Sequence, residues 1–115
     1  MSTRATHYVI LGYDFSSKRS EILDNDWIWT DEGENWTCRT SKGNIQLFTD
    51  PMNGTDLYFG YILSIRDEEC EQMESIEIEN IVDKQALVDA VLKQISLPIP
   101  EDLPKYKMIF FTEWR

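Results

Sequence analysis

A chain of 115 residues with 21 acids against 11 Lys and Arg, and a net charge of −10, lacks the cations to hold a nucleic-acid backbone or an anionic bilayer. Its 42% hydrophobic content, with 5 Phe, 5 Tyr and 4 Trp, is enough for a core and excludes wholesale disorder; the length suits one acidic globular domain over 1–115. No apolar run approaches the ~20 residues that span a bilayer, and the opening Met-Ser-Thr-Arg-Ala-Thr-His lacks a signal peptide's apolar stretch, so the expected location is cytoplasmic.

In chain order, His7 to Phe15 (HYVILGYDF) is a nearly continuous apolar run and predicts an interior strand. Asp24 to Trp29 (DNDWIW) fits a short strand or an ordered loop, and Asp31 to Asn35 fits a turn in which Gly33 takes a positive φ. Trp36–Arg39 and Asn44–Thr49 read as strands joined at Ser41-Lys42-Gly43. Asp50 to Asp56, with Pro51 early and Asn53-Gly54 late, is a loop that should close an antiparallel hairpin between Ile45–Phe48 and Leu57–Ile65. Ser75 to Glu79 alternates, with Ile76 and Ile78 on one side and Glu77 and Glu79 on the other.

From Asp83 to Ser96, Leu87, Val88, Val91, Leu92 and Ile95 repeat at helical spacing, while Lys84, Asp89 and Lys93 fall on the polar side and Asn80 with Asp83 resembles a cap. Pro98, Pro100 and Pro104 end that helix, and Tyr106–Trp114 predicts a last strand. The expected architecture is α+β: one antiparallel or mixed sheet of about five strands with one helix packed on a face.

Common catalytic and metal patterns are missing. One histidine, His7, and two distant cysteines, Cys38 and Cys70, offer no zinc spacing, and the cysteines read as reduced thiols. Asp24-Asn25-Asp26 opens like a calcium loop, but Trp29 stands where Gly is needed and Asn35 where a bidentate Glu is needed. Five isolated glycines make no phosphate-cradling loop. The expectation is therefore no enzyme, no cofactor and no metal. The alternative is a metal-dependent enzyme or nucleotide-binding protein using Asp14, Asp50 and Asp56 at strand ends.

What the sequence does show is segregation of charge. Glu21 to Glu34 holds six carboxylates, and Asp67 to Asp83 eight more, with no Lys or Arg in either stretch. Such segregation makes a directional negative field rather than a mixed surface. Outward residues two apart on a strand, as Glu77 and Glu79 would be, stand ~6.6–6.8 Å apart, the same order as the ~3.4 Å phosphate rise along one strand of duplex DNA. Trp27, Trp29 and Trp36 interleave with the first stretch, either filling the core or anchoring a partner.

In size, segregated charge and lack of catalytic motifs, the chain resembles the small acidic inhibitor proteins of phages and other mobile elements, DNA mimics and anti-CRISPR proteins among them. No residue motif carries that likeness, so it transfers no site. The expected function is a non-enzymatic binding protein on a basic, nucleic-acid-binding surface of a partner protein. Glu68, Glu69, Glu71, Glu77 and Glu79 would supply the charge and Trp27, Trp29 and Trp36 the anchors. A subunit of a larger assembly, pairing an exposed sheet edge with its own copy as a homo-oligomer or with another strand, is the further alternative.

Overall fold

Four strands make one antiparallel sheet in the order β2-β3-β1-β4 in the computed structural model, which describes residues 5–37, 44–49, 56–67 and 84–114. The strands are β1 (Ala5–Asp14), β2 (Ile45–Thr49), β3 (Leu57–Asp67) and β4 (Lys107–Trp114). Between β1 and β2 lie a single 3₁₀ turn (Ser16–Lys18) and three short helices, α1 (Arg19–Ile22), α2 (Asn25–Ile28) and α3 (Asp31–Thr37); α4 (Gln85–Leu92) precedes β4. The class is α+β as the patterning predicts, with four strands among the described residues where about five are expected for the chain.

The difference lies between residues 24 and 37. Trp and Ile favour strands, which is why DNDWIW and Trp36–Arg39 read as extended; instead 25–28 and 31–37 are helical. Local capping outweighs that propensity. The Asp24 side chain accepts from the Asp26 N–H at 3.0 Å, and the Thr30 hydroxyl accepts from the Gly33 N–H at 3.1 Å while donating to the Trp27 carbonyl at 2.6 Å. Asp31, Glu32 and Glu34 all fall in the first turn of α3, where the helix dipole favours negative charge. The 75–79 strand and the Asn80–Asp83 cap lie outside the described residues.

β1 is flanked by β3 and β4 and is buried on both faces, with Tyr8 and Ile10 on one and Leu11 and Tyr13 on the other. The hairpin register pairs Ile45 with Tyr61 and Phe48 with Tyr58. One face of the sheet carries Tyr13, Phe15, Ile45, Leu47, Leu57 and Phe59, and onto it pack Ile22 of α1, Trp36 of α3, and Val88 and Leu92 of α4. In α4, Val88 (0% exposed) and Leu92 (5%) form the inner stripe, whereas Leu87, at 46%, stands outside it rather than in the core. Asp89 is turned toward the sheet, accepting from the Tyr13 hydroxyl, rather than toward solvent.

The other face is built differently. Val9 faces Ser64 and Ile10 faces Ile62, so Leu63 is the extra residue of a bulge. Next to it Gly12 faces Gly60; a Cβ on Gly12 would lie 2.0 Å from the Phe59 carbonyl oxygen, and one on Gly60 2.4 Å from that of Leu11. Only glycine permits this approach. Its effect is visible in the rings. Tyr58 stands beside Asp14 and Phe111 beside Tyr8, rows that a flat sheet would hold ~20 Å apart at ~3.3 Å per residue. Their ring centroids are nevertheless 4.9 Å apart. The sheet therefore curls around the glycine pair, bringing Tyr8, Phe48, Tyr58 and Phe111 into one cluster with Ile10, Ile62 and Ile109 beneath them.

Candidate functional site

The first acid-rich stretch folds into the corner made by α1, α2 and α3 beside β2, the outer strand on that side, against which α3 packs. Arg19 fixes the corner's base: it is 7% exposed, and its Nε donates to Thr49 Oγ1 at 3.1 Å, tying α1 to the end of β2. Ile22 and Leu23 turn inward beside it.

Gly33 sets the crossing of α2 and α3. It is helical rather than a positive-φ turn residue, and its role is close approach: a Cβ there would meet the Trp27 carbonyl oxygen at 2.1 Å. The spacing around Asp24 and Thr30, two N-cap residue types each followed by first-turn acids, is the sequence signal that marks these helices.

Glu32 ties the corner to the segment that follows α4. Its carboxylate accepts a hydrogen bond from the Ser96 hydroxyl, just beyond α4. That bond holds the Glu32 carboxyl below its usual range; partial desolvation opposes it, and the indole N–H groups of Trp27 and Trp36 add further support. Trp27 Nε1 is buried without a hydrogen bond of ordinary geometry, so its contribution is that of a nearby dipole.

The three tryptophans have three different placements. Trp36 is 4% exposed, with its ring 6.1 Å from that of Phe59, so it belongs to the core and is removed from the candidate surface. Trp27 is partly buried and packs against the same cluster. Trp29, the C-cap of α2, is 77% exposed. The shared face expected for Trp27 and Trp29 on a strand is lost because α2 is a helix, where neighbours two apart point away from each other.

On the same three short helices and their caps, Glu21, Asp24, Asp26, Asp31 and Glu34 are exposed. Among the described residues no lysine or arginine forms an ion pair with any of them. An open cleft of about 600 Å³ runs beside the corner, lined by Glu21, Asp24, Trp27, Leu97 and Pro98 among others. Glu68, Glu69, Glu71, Glu77 and Glu79 lie outside the described residues, as do Asp50, Cys38 and Cys70.

Asp14 accepts from the Ser16 N–H at 2.9 Å and lies 4.0 Å from Lys107 Nζ, and Asp56 is exposed. Among the described residues no group of three or more His, Cys, Asp or Glu side chains converges as a metal site would require. His7 is exposed, its Nδ1 2.9 Å from Thr112 Oγ1. Among the described residues no helix is long and apolar enough to cross a membrane. Compared with known proteins, the chain matches no protein-family model, no curated protein and no solved structure.

Proposed function

We propose that this chain is a non-enzymatic acidic binding protein that occupies a basic surface of a partner protein, one built to hold nucleic acid. The observation that supports this most directly is Trp29, 77% exposed, on a helical corner whose exposed carboxylates have no cationic partner among the described residues. An exposed aromatic ring on a corner whose carboxylates have no cationic partner among the described residues is the composition of an interface anchor. The ring, once buried, contributes ~2 kcal/mol or more, while each rim charge contributes well under ~1 kcal/mol. The charges speed encounter and reject acidic surfaces; the ring sets how long the complex lasts. Glu68, Glu69, Glu71, Glu77 and Glu79 extend the same field in this proposal, which is the working mode of the phage-type DNA-mimic inhibitors that the chain resembles in texture.

The test is capture of the partner from lysate at low salt and its release at high salt. The captured protein should bind DNA or RNA alone and lose it when this chain is added. Asp26→Lys with Asp31→Lys and Glu34→Lys should slow association and flatten its salt dependence. Trp29→Ala should raise the dissociation rate by about thirtyfold, the equivalent of ~2 kcal/mol. A partner with no affinity for nucleic acid, or binding indifferent to both sets of substitutions, overturns the proposal.

A further inference from the structure

Among the described residues β4 is the outer strand opposite the acid-rich corner, and its sequence suits pairing with itself. Phe110 stands 70% exposed at its middle. Lys107 and Glu113, the only charged side chains of the strand, sit near opposite ends of KMIFFTEW. Outer strands are normally blunted by proline, by a central charge or by a bulge, and β4 carries none of these.

Symmetry restricts how two copies can join. In an antiparallel pair directly opposed residues point to the same side, so a two-fold axis normal to a continuous sheet must pass through a residue and not between two. Centred on Phe111, the register opposes Ile109 to Glu113; centred on Ile109, it pairs only 107–111 of the strand. Centred on Phe110, it opposes Lys107 to Glu113 at both ends, Met108 to Thr112 and Ile109 to Phe111, and brings the two exposed Phe110 rings together.

We propose that the chain forms a two-fold dimer through β4 in this register, giving one continuous sheet of two four-stranded halves. Two bodies of net charge −10 repel. The joining strand is neutral by itself, however, and α3 packs on β2, at the other end of the strand order from β4. Charges farther apart than the Debye length of ~8 Å at physiological salt are largely screened. The partner-binding corner stays open in the dimer, so this proposal and the proposed function can fail separately.

Sedimentation equilibrium of the full chain from about 1 to 200 μM should show a monomer passing to a dimer. Phe110→Lys should remain monomeric throughout, with an unchanged far-ultraviolet spectrum. Lys107→Glu should weaken the dimer by about tenfold, and Lys107→Glu combined with Glu113→Lys should restore it, since opposed like charges destabilise a cross-strand pair. A monomer at the highest concentration, a dimer untouched by Phe110→Lys, or a double exchange no tighter than Lys107→Glu alone overturns the proposal. Should Phe110→Lys fail to fold, the charge exchange decides.

Discussion

Two hydroxyls facing the same carboxylate region have opposite energetic signs. Tyr13 donates to Asp89, so Tyr13→Phe strips a carboxylate of its donor and should cost about 1.5 kcal/mol, the lower end for hydrogen bonds to charged groups. The Tyr106 hydroxyl is buried with no hydrogen-bond partner among the described residues, so Tyr106→Phe should stabilise by about 1 kcal/mol. Burial first, then the negative charges of Tyr13 and Asp89, push the Tyr106 phenol up to about 12 from 10.0. A raised value in the folded state means its contribution is whole below about pH 10 and is lost as pH climbs through about 12. Denaturant melts across that window should therefore show a shallower alkaline decline in Tyr106→Phe than in the parent. Glu32 has the reverse sign. Its folded-state value is lowered, chiefly by Ser96, so its contribution is present above the ordinary carboxylate range and fades as pH falls through the folded value. Glu32→Gln should melt below the parent at neutral pH, and the gap should narrow as pH falls through and below the ordinary carboxylate range.

For the elements, Gly33 sets helix propensity against packing. Alanine there gains up to ~1 kcal/mol as a helix former. Its Cβ would also sit 2.1 Å from a backbone oxygen that has no side-chain freedom to yield. The second effect is the larger, so Gly33→Ala should lower stability by about 1–3 kcal/mol, read from urea melts, and spread α2 from α3. These short helices are also where sequence reading went astray. β1, β3, β4 and α4 were legible because long runs of one period leave no competing pattern. Residues 19–37 hold three helices of 4, 4 and 7 residues, too short for a period to repeat, and their Trp and Ile content favours strands. Asp24 and Thr30 announce α2 and α3, while α1, which follows Lys18 with no side-chain cap, carries no such signal. The candidate site was legible in part for the same reason: the base-free acidic stretch is read directly from the sequence, but which tryptophan is exposed depends on how α2 is capped. A helix turned the other way would have exposed Trp27 and buried Trp29.

At the scale of the whole molecule, the curl of the sheet is the feature no periodicity could announce, since a glycine in a strand reads the same whether it bends the sheet or merely weakens it. Gly12 and Gly60 acquire their meaning only once β1 and β3 pair. The ring cluster that results takes one member from each strand: Tyr8 from β1, Phe48 from β2, Tyr58 from β3 and Phe111 from β4. No pair of neighbouring strands can complete it. A hairpin of β2 and β3 alone leaves Phe48 and Tyr58 exposed to water, and the missing stack comes from a strand paired with β1 across about a hundred positions, Val9 against Phe110. Closing so long a loop before the reward of this cluster arrives slows the completion of this face. During synthesis the ring-cluster face stays open until β4 has left the ribosome, whereas the opposite face, whose buried residues include none from β4, needs only the segments made before it.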